Sequence, residues 1–285
     1  MATLEQAREQ QAAQRGLVAL MLQDLSGSWS SLNPRRLGQT IPRWIAAALV
    51  VIDRYGDAAG ALGLDYYEAE RDAAGVPGRA PSPEIRTPER AQVESSLRWA
   101  TKGLWDNQIL EPDPEFDRLW QQILDEEAAA DLAGLDEEDL ADIGDDLLDE
   151  PPEPVEHGLS PAADLLAKTR TKVDGIATRL VTDVGRGAVL DSVAEDRQAS
   201  GWVRIAAANA CAFCRMLAQR GPVYSDDTAK FQAHDHCKCI AAPIFEGDSW
   251  EPDQQVLQWR SQYQRAARMK GDTLANLRRI VAQDT

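Results

Sequence analysis

Apolar residues recur along most of this chain at the three- and four-residue spacing that places them on one face of a helix. Val18, Met21, Leu22 and Leu25 form the first stripe and predict a helix over residues 1 to about 25, stopped by Gly27 and Ser28. Asn33-Pro34 reads as an N-cap with proline in the first turn, opening a second helix to about Tyr55 that buries Ile45, Leu49 and Ile52. Trp44 extends that face or serves a partner. A shorter helical piece follows through about Ala74, and Val76-Pro-Gly-Arg-Ala-Pro-Ser-Pro83 is a loop. Thr87-Pro88 starts a helix to about Asn107, presenting Val93, Leu97, Ala100 and Leu104. Asp113-Pro114 starts another, with Phe116, Leu119, Trp120, Ile123 and Leu124 on one face. Three Asn/Thr/Asp-Pro openings within the first half predict an all-helical N-terminal region over residues 1–124.

Beyond about residue 160 the pattern changes. Ser160-Pro161 opens what reads as the longest helix, striped by Val173, Ile176, Leu180 and Val184 to about Ala194, with Gly185 and Gly187 as the place where it would break. Trp202 to Ile205 and Ile240 to Phe245 are the only strand-like runs, and Pro243 suits an edge position. Helix resumes after Pro252 with Val256, Trp259 and Tyr263, and again after Gly271 with Leu274, Leu277 and Val281. The expected class is mainly α, with a helical N-terminal region and an α+β C-terminal domain over residues 159–285.

Charge separates the two halves. The chain carries a net charge of −17, a sign that argues against wrapping DNA phosphates. Fifteen Asp and Glu, and no Lys or Arg, lie between Asp125 and Glu156, so the remainder of the chain is within two charges of neutral. Residues 125–158, which end in Glu150-Pro-Pro-Glu-Pro154, are expected to be an acidic linker, because like charges repel and the apolar residues keep no strict period. The other reading is an acidic amphipathic segment that docks on a basic groove. Arg260, Arg265, Arg268, Lys270, Arg278 and Arg279 make the C-terminal tail basic, a solvated face or a weak contact for DNA or for the acidic segment. No apolar run is long enough to span a membrane. The polar, mixed-charge opening residues predict no secretory signal, and so synthesis in a reducing cytoplasm.

The candidate chemistry lies between Cys211 and Cys239. All four cysteines fall there, as Cys211-Ala-Phe-Cys214 and His234-Asp-His-Cys237-Lys-Cys239, with two of the three histidines. Cys-x-x-Cys and His-x-x-Cys are spacings at which a tight turn brings two ligands onto one ion, and thiolate with imidazole favours tetrahedral Zn2+. The preferred ligands are Cys211, Cys214, His234 and Cys237, with Cys239 as first substitute and His236 as second. If Cys237 and Cys239 lie on an extended segment they face opposite ways, and one of them binds. Disulfides or a redox pair are the alternatives, but the second does not explain the returning His-x-x-Cys.

Gly201-Trp-Val-Arg204, the stretch Cys211 to Tyr224, Phe231-x-x-His-Asp-His-Cys-Lys-Cys239 and Pro243-Ile-Phe245 together resemble the MuF-like minor head proteins of tailed phages, in the form found in phages of actinobacteria. The family's usual His-Pro-Asn-Cys-Arg-Cys ending maps onto His234, Cys237 and Cys239, with Asp235-His236 replacing Pro-Asn. The resemblance covers about a sixth of the chain. It implies a minor capsid or head-morphogenesis protein, in the capsid interior or at the portal vertex and in the host cytoplasm during assembly. Its implied partners are the portal, major capsid or scaffold protein.

Members of that family are also labelled capsid maturation protease. A triad needs a free histidine; only His157 lies outside the cysteine motif, and nearby Ser160 reads as a helix cap. A zinc hydrolase or nuclease is the remaining alternative, with Glu246 as the nearest downstream base. No catalytic residue is assigned, and a structural zinc bracing the small β element is the expectation.

Overall fold

The computed structural model describes residues 4–33, 36–106, 114–130, 160–207, 209–222, 231–248 and 250–283. Among them are eight helices and one two-stranded sheet, a mainly α fold. In chain order these are α1 (Leu4–Ser28), α2 (Leu37–Ala73), α3 (Arg90–Asp106), α4 (Pro114–Ala130), α5 (Pro161–Glu195), β1 (Ala199–Ile205), α6 (Ala212–Ala218), β2 (Ile240–Phe245), α7 (Gln254–Arg268) and α8 (Thr273–Gln283). The acidic linker from 131 onward and His157 lie outside the described residues, while α4 carries helical backbone six residues past 124.

The stripes read from the sequence point inward. Met21, Leu25, Ile45, Leu49, Val93, Leu97, Leu104, Phe116, Val173 and Val181 share one core that joins α1 to α5. Trp44 belongs to it: its ring lies 5.1 Å from Trp29, and its Nε1 donates to Ser28 Oγ at 2.7 Å.

Three boundaries differ from expectation. The Asn33-Pro34 cap is displaced: Arg36 is the residue before α2, and the Asn33 amide donates instead to Thr40 Oγ1. α2 does not end at Tyr55. It absorbs the following piece into one 37-residue helix, two residues longer than α5. Nor do Gly185 and Gly187 break α5. A side chain at Gly63 would collide with the Gly185 carbonyl, and one at Gly185 would lie 2.8 Å from Ala59 O. Gly185 therefore marks where α2 and α5 cross with their backbones in close approach, a packing role that its sequence context did not disclose.

β1 and β2 pair antiparallel, Trp202 opposite Pro243 and Ile205 opposite Ile240. Pro243 is tolerated because each strand of a two-stranded sheet has a free edge. Tyr67 and Val193 cover the sheet, the Tyr67 ring meeting Phe245 edge-on at 5.7 Å. A buried ion pair ties α2 to the start of β1: Arg71 Nε donates to Asp196 Oδ2 at 2.7 Å, and Tyr67 OH donates to the same oxygen at 3.0 Å. The rest of that guanidinium donates to the carbonyls of Val76, Pro77 and Gly78, which fixes the proline loop. α7 and α8 form a hairpin whose inner side meets α6 through Ala212, Ala266, Leu277 and Ile280.

Candidate metal centre

The first pair of cysteines is placed by a helix start. Cys211 has extended backbone just before α6, its carbonyl accepts from Arg215 N at 3.0 Å, and Cys214 lies in the first turn. The return half is not a strand. A turn at Asp235 and His236, with His236 at φ 62°, precedes β2, and Cys237 N donates to His234 O at 3.1 Å.

The expectation that Cys237 and Cys239 face opposite ways is tied to an extended segment, and residues 237–239 are not a strand. Alternation holds only along extended backbone, and here both sulfurs lie within 4.8 Å of Cys214 Sγ and of each other. Cys211, Cys214 and His234 form a second such group, so Cys214 is common to both, and either group can hold a metal ion. His236, the second substitute, is directed elsewhere: its ring packs against Gly175 of α5 and its amide donates to Gly175 O at 3.4 Å. Burial lowers the His236 pKa from its ordinary value.

Two of the spacings match the edges of a tetrahedral site, and a third is shorter. Metal–sulfur and metal–nitrogen bonds of about 2.3 and 2.0–2.1 Å give ligand–ligand edges of about 3.8 Å for S···S and 3.6 Å for S···N. Cys214 Sγ lies 3.7 Å from Cys237 Sγ and 3.6 Å from His234 Nε2, with Cys211 Sγ 3.0 Å from the same nitrogen. The cysteines are free thiols, and 3.7 Å is far beyond a disulfide bond. His234 Nδ1 lies 2.6 Å from Asp235 O. A carbonyl only accepts, so Nδ1 carries a proton, and Nε2 is the nitrogen that faces the sulfurs.

So many donors in one place disturb one another's protonation. The Cys211 thiol is pulled down to about 4 by hydrogen bonds from Cys214 and then His234, and His234 is raised to about 9, chiefly by Cys211. Hydrogen bonding from Cys214 and Cys239 lowers Cys237, whereas Cys214 is pushed up. Thiolate is thus available at neutral pH, the form in which cysteine binds metal.

The surroundings bury one side of the site and leave Cys211 and His234 exposed. Cys214, Cys237 and Cys239 are buried with Ala206, Ala210, Ala218 and Trp259, while Cys211 is exposed. Arg186 of α5 donates to the carbonyls of both Cys237 and Cys239, and to Asp183 at 2.6 Å. Phe231 stacks on Trp202 and lies beneath the guanidinium groups of Arg186 and Arg204. A cavity of about 10 Å³ touches Cys237 and Lys238, and one of about 20 Å³ lies between Arg204 and Trp259. Each has room for about one water molecule and none for a substrate. Arg186 escaped the sequence reading, although Thr178, Thr182 and Arg186 recur at i, i+4 and i+8 as a buried polar stripe.

Of the residues considered for catalysis, Ser160 and Glu246 do not gather here, and His157 lies outside the described residues. Ser160 caps α5, its Oγ accepting from Ala163 N at 3.3 Å. Glu246 is exposed at the far end of β2. At about 3.3 Å per residue the strand carries it roughly 20 Å from Cys239.

A model of the family described as VG15 protein matches residues 1–131 and 149–266. The match takes in the helical core and the cysteine cluster together. No curated protein matches the chain, and no solved structure does.

Proposed function

We propose that this chain, which belongs to the VG15 protein family, a family of phage proteins, is a minor head protein of the MuF-like kind that binds portal, scaffold or major capsid protein and does not cleave it. The observation that carries the reading is the cluster of three buried cysteines, with exposed Cys211 and His234 at its edge. The ion is Zn2+, held by Cys211, Cys214, His234 and Cys237, with Cys239 the alternative fourth ligand. Four protein ligands leave no position for water, which is the mark of a structural site.

The binding energy of the ion becomes folding energy for the segment around the cysteines, whose buried side chains apart from Trp259 are alanines and cysteines. The C-terminal lobe ends in an exposed basic strip, Arg265, Arg268, Lys270, Arg278 and Arg279, which gives the protein a weak contact with DNA in the head. No helix among the described residues is long and apolar enough to cross a membrane, and the expected location is the capsid interior or the portal vertex.

The test is a phage carrying His157→Ala and Ser160→Ala, with the protein located in purified particles by mass spectrometry. Normal incorporation and normally processed heads are expected. Uncleaved major capsid protein in particles that still contain the variant would establish the protease reading instead.

A further inference from the structure

The hairpin of α7 and α8 is a basic surface on an acidic chain. Residues 254–283 carry six Arg and Lys and one acid, Asp272, whose Oδ1 caps α8 by accepting from Ala275 N at 2.7 Å. Leu257, Ser261, Arg265 and Arg268 follow one another at helical spacing along the exposed side of α7, and Met269, Lys270, Arg278 and Arg279 are exposed in the turn and on α8. Arg268, Lys270 and Arg278 have no ion pair among the described residues. Glu251 and Asp253 lie before α7, roughly 20 Å along the helix from Arg268, and Asp253 caps α7 by accepting from Val256 N at 2.7 Å. Where the hairpin meets α6 the nearby charge is another cation, Arg215, which donates to Gln262 Oε1 at 3.3 Å. Leu257 and Met269 are also two of the four large apolar side chains that stand exposed among the described residues. A ligand that fits this surface joins carboxylates to apolar side chains; the DNA backbone offers charge alone.

The chain carries such a ligand itself. Residues 131–159, outside the described residues, hold twelve Asp and Glu and no Lys or Arg, interspersed with Leu132, Leu135, Leu140, Ile143, Leu147 and Leu148. The segment joins Ala130 to Ser160, and its length permits the contact. The cysteine turn meets α5 at Gly175, fifteen residues and about 22 Å from Ser160, and Trp259 of α7 packs on the same cysteines. Half of the 29 intervening residues, extended, reach roughly 45 Å. We infer that the acidic segment docks in cis on the exposed basic face of α7 and α8, as an internal competitor that DNA must displace. The inference rests on the basic strip of the proposed function and adds the occupant of that strip; it does not depend on the metal. Tethering places the segment at an effective concentration of millimolar order, so an attraction too weak to hold a separate peptide holds this one. Salt weakens it by screening.

The test is zero-length carbodiimide cross-linking of the full chain, which joins a lysine to a carboxylate only where the two touch, followed by peptide mass spectrometry of the monomeric fraction. Lys270 is the only lysine of the hairpin, whereas Lys168 and Lys172 stand nearer the point where the segment rejoins the fold. Tether proximity alone therefore favours Lys168 and Lys172. The expected result is Lys270 joined to carboxylates of residues 131–156, at several times the yield of either, and falling as salt rises. Arg268→Gln with Arg278→Gln, which leaves Lys270 in place, should lower the yield about threefold, the worth of two exposed charge contacts. Links from Lys270 only to Asp226 or Asp227, links only in a dimeric fraction, or a yield unchanged in the double variant would overturn the proposal. Absent Lys270 links in a protein that binds a short DNA duplex through the same residues would assign the strip to DNA instead. Each of these outcomes leaves the head role and the metal to their own tests.

Discussion

The core shared by α1 to α5 and the lobe around the cysteines are stabilised by different means. In the first, Trp29, Trp44, Phe116, Ile41, Leu49 and Leu97 are fully buried in one continuous cluster, and their removal from water is the driving force. In the second, apart from Trp259, the fully buried groups are Ala206, Ala210, Ala218 and three cysteines, and the neighbouring cluster adds only Ala212, Ala266, Leu277 and Ile280. Side chains that small bury too little apolar surface to hold a turn and a seven-residue helix in place, whereas the sheet has its own apolar cover in Trp202, Phe245, Tyr67 and Val193. Structural zinc contributes apparent binding free energies of about 10–16 kcal/mol in small peptides at neutral pH, enough to replace a core. One half folds around side-chain volume and the other around coordination.

Removing the metal should separate the two most sharply. Chelation is expected to abolish hydrogen-exchange protection from Trp202 to Phe245 while the amides of α1 to α3 stay protected. Loss of protection in both halves at once would show that they fold as one unit.

The converse perturbation is Trp44→Ala, which empties a fully buried site and deletes the bond to Ser28. A destabilisation of about 3–5 kcal/mol is expected by denaturant titration, with metal content per folded chain unchanged. Gly63→Ala attacks the α2–α5 crossing, where the new methyl meets the Gly185 carbonyl. Its expected cost is about 1–3 kcal/mol, again with no change in bound metal.

Glu70 sharpens the comparison through pH. Both its carboxylate oxygens are buried, and burial, only partly offset by the neighbouring Tyr66 hydroxyl, raises its pKa from 4.5 to about 7. The folded state therefore holds a proton that the unfolded chain has released, so stability falls as pH rises from about 4.5 to about 7. Glu70→Gln should flatten that dependence in a urea midpoint series. An unchanged slope would place the linkage elsewhere. The smallest effect belongs to Ser160→Ala, about 1 kcal/mol for a lost N-cap. It is read as a small shift in thermal midpoint.

What was legible in the sequence follows the same division. Helical stripes survive because burial enforces them residue by residue, and Val93, Leu97, Ala100 and Leu104 all reached the core. Both strands were legible from short apolar runs. The continuity of α2 past Tyr55 was not: it runs on through Gly60, packed against Ile85, and Gly63, packed against the α5 backbone. The cysteines announced the site by spacing alone. That Cys237 and Cys239 both reach Cys214 was not legible, because the segment between them is not a strand and alternation does not apply to it. The two arginines that flank the site were invisible as a pair, since Arg186 and Arg204 come from a helix and a strand brought together only by the fold.

The most direct test of a folded lobe built on coordination is metal analysis of protein purified without added metal. The account predicts close to one zinc per chain, lost in a Cys211→Ser, Cys214→Ser double variant whose α1–α5 core remains helical. A metal-free native protein with the 202–245 region still protected, or full zinc occupancy in the double variant, would contradict it.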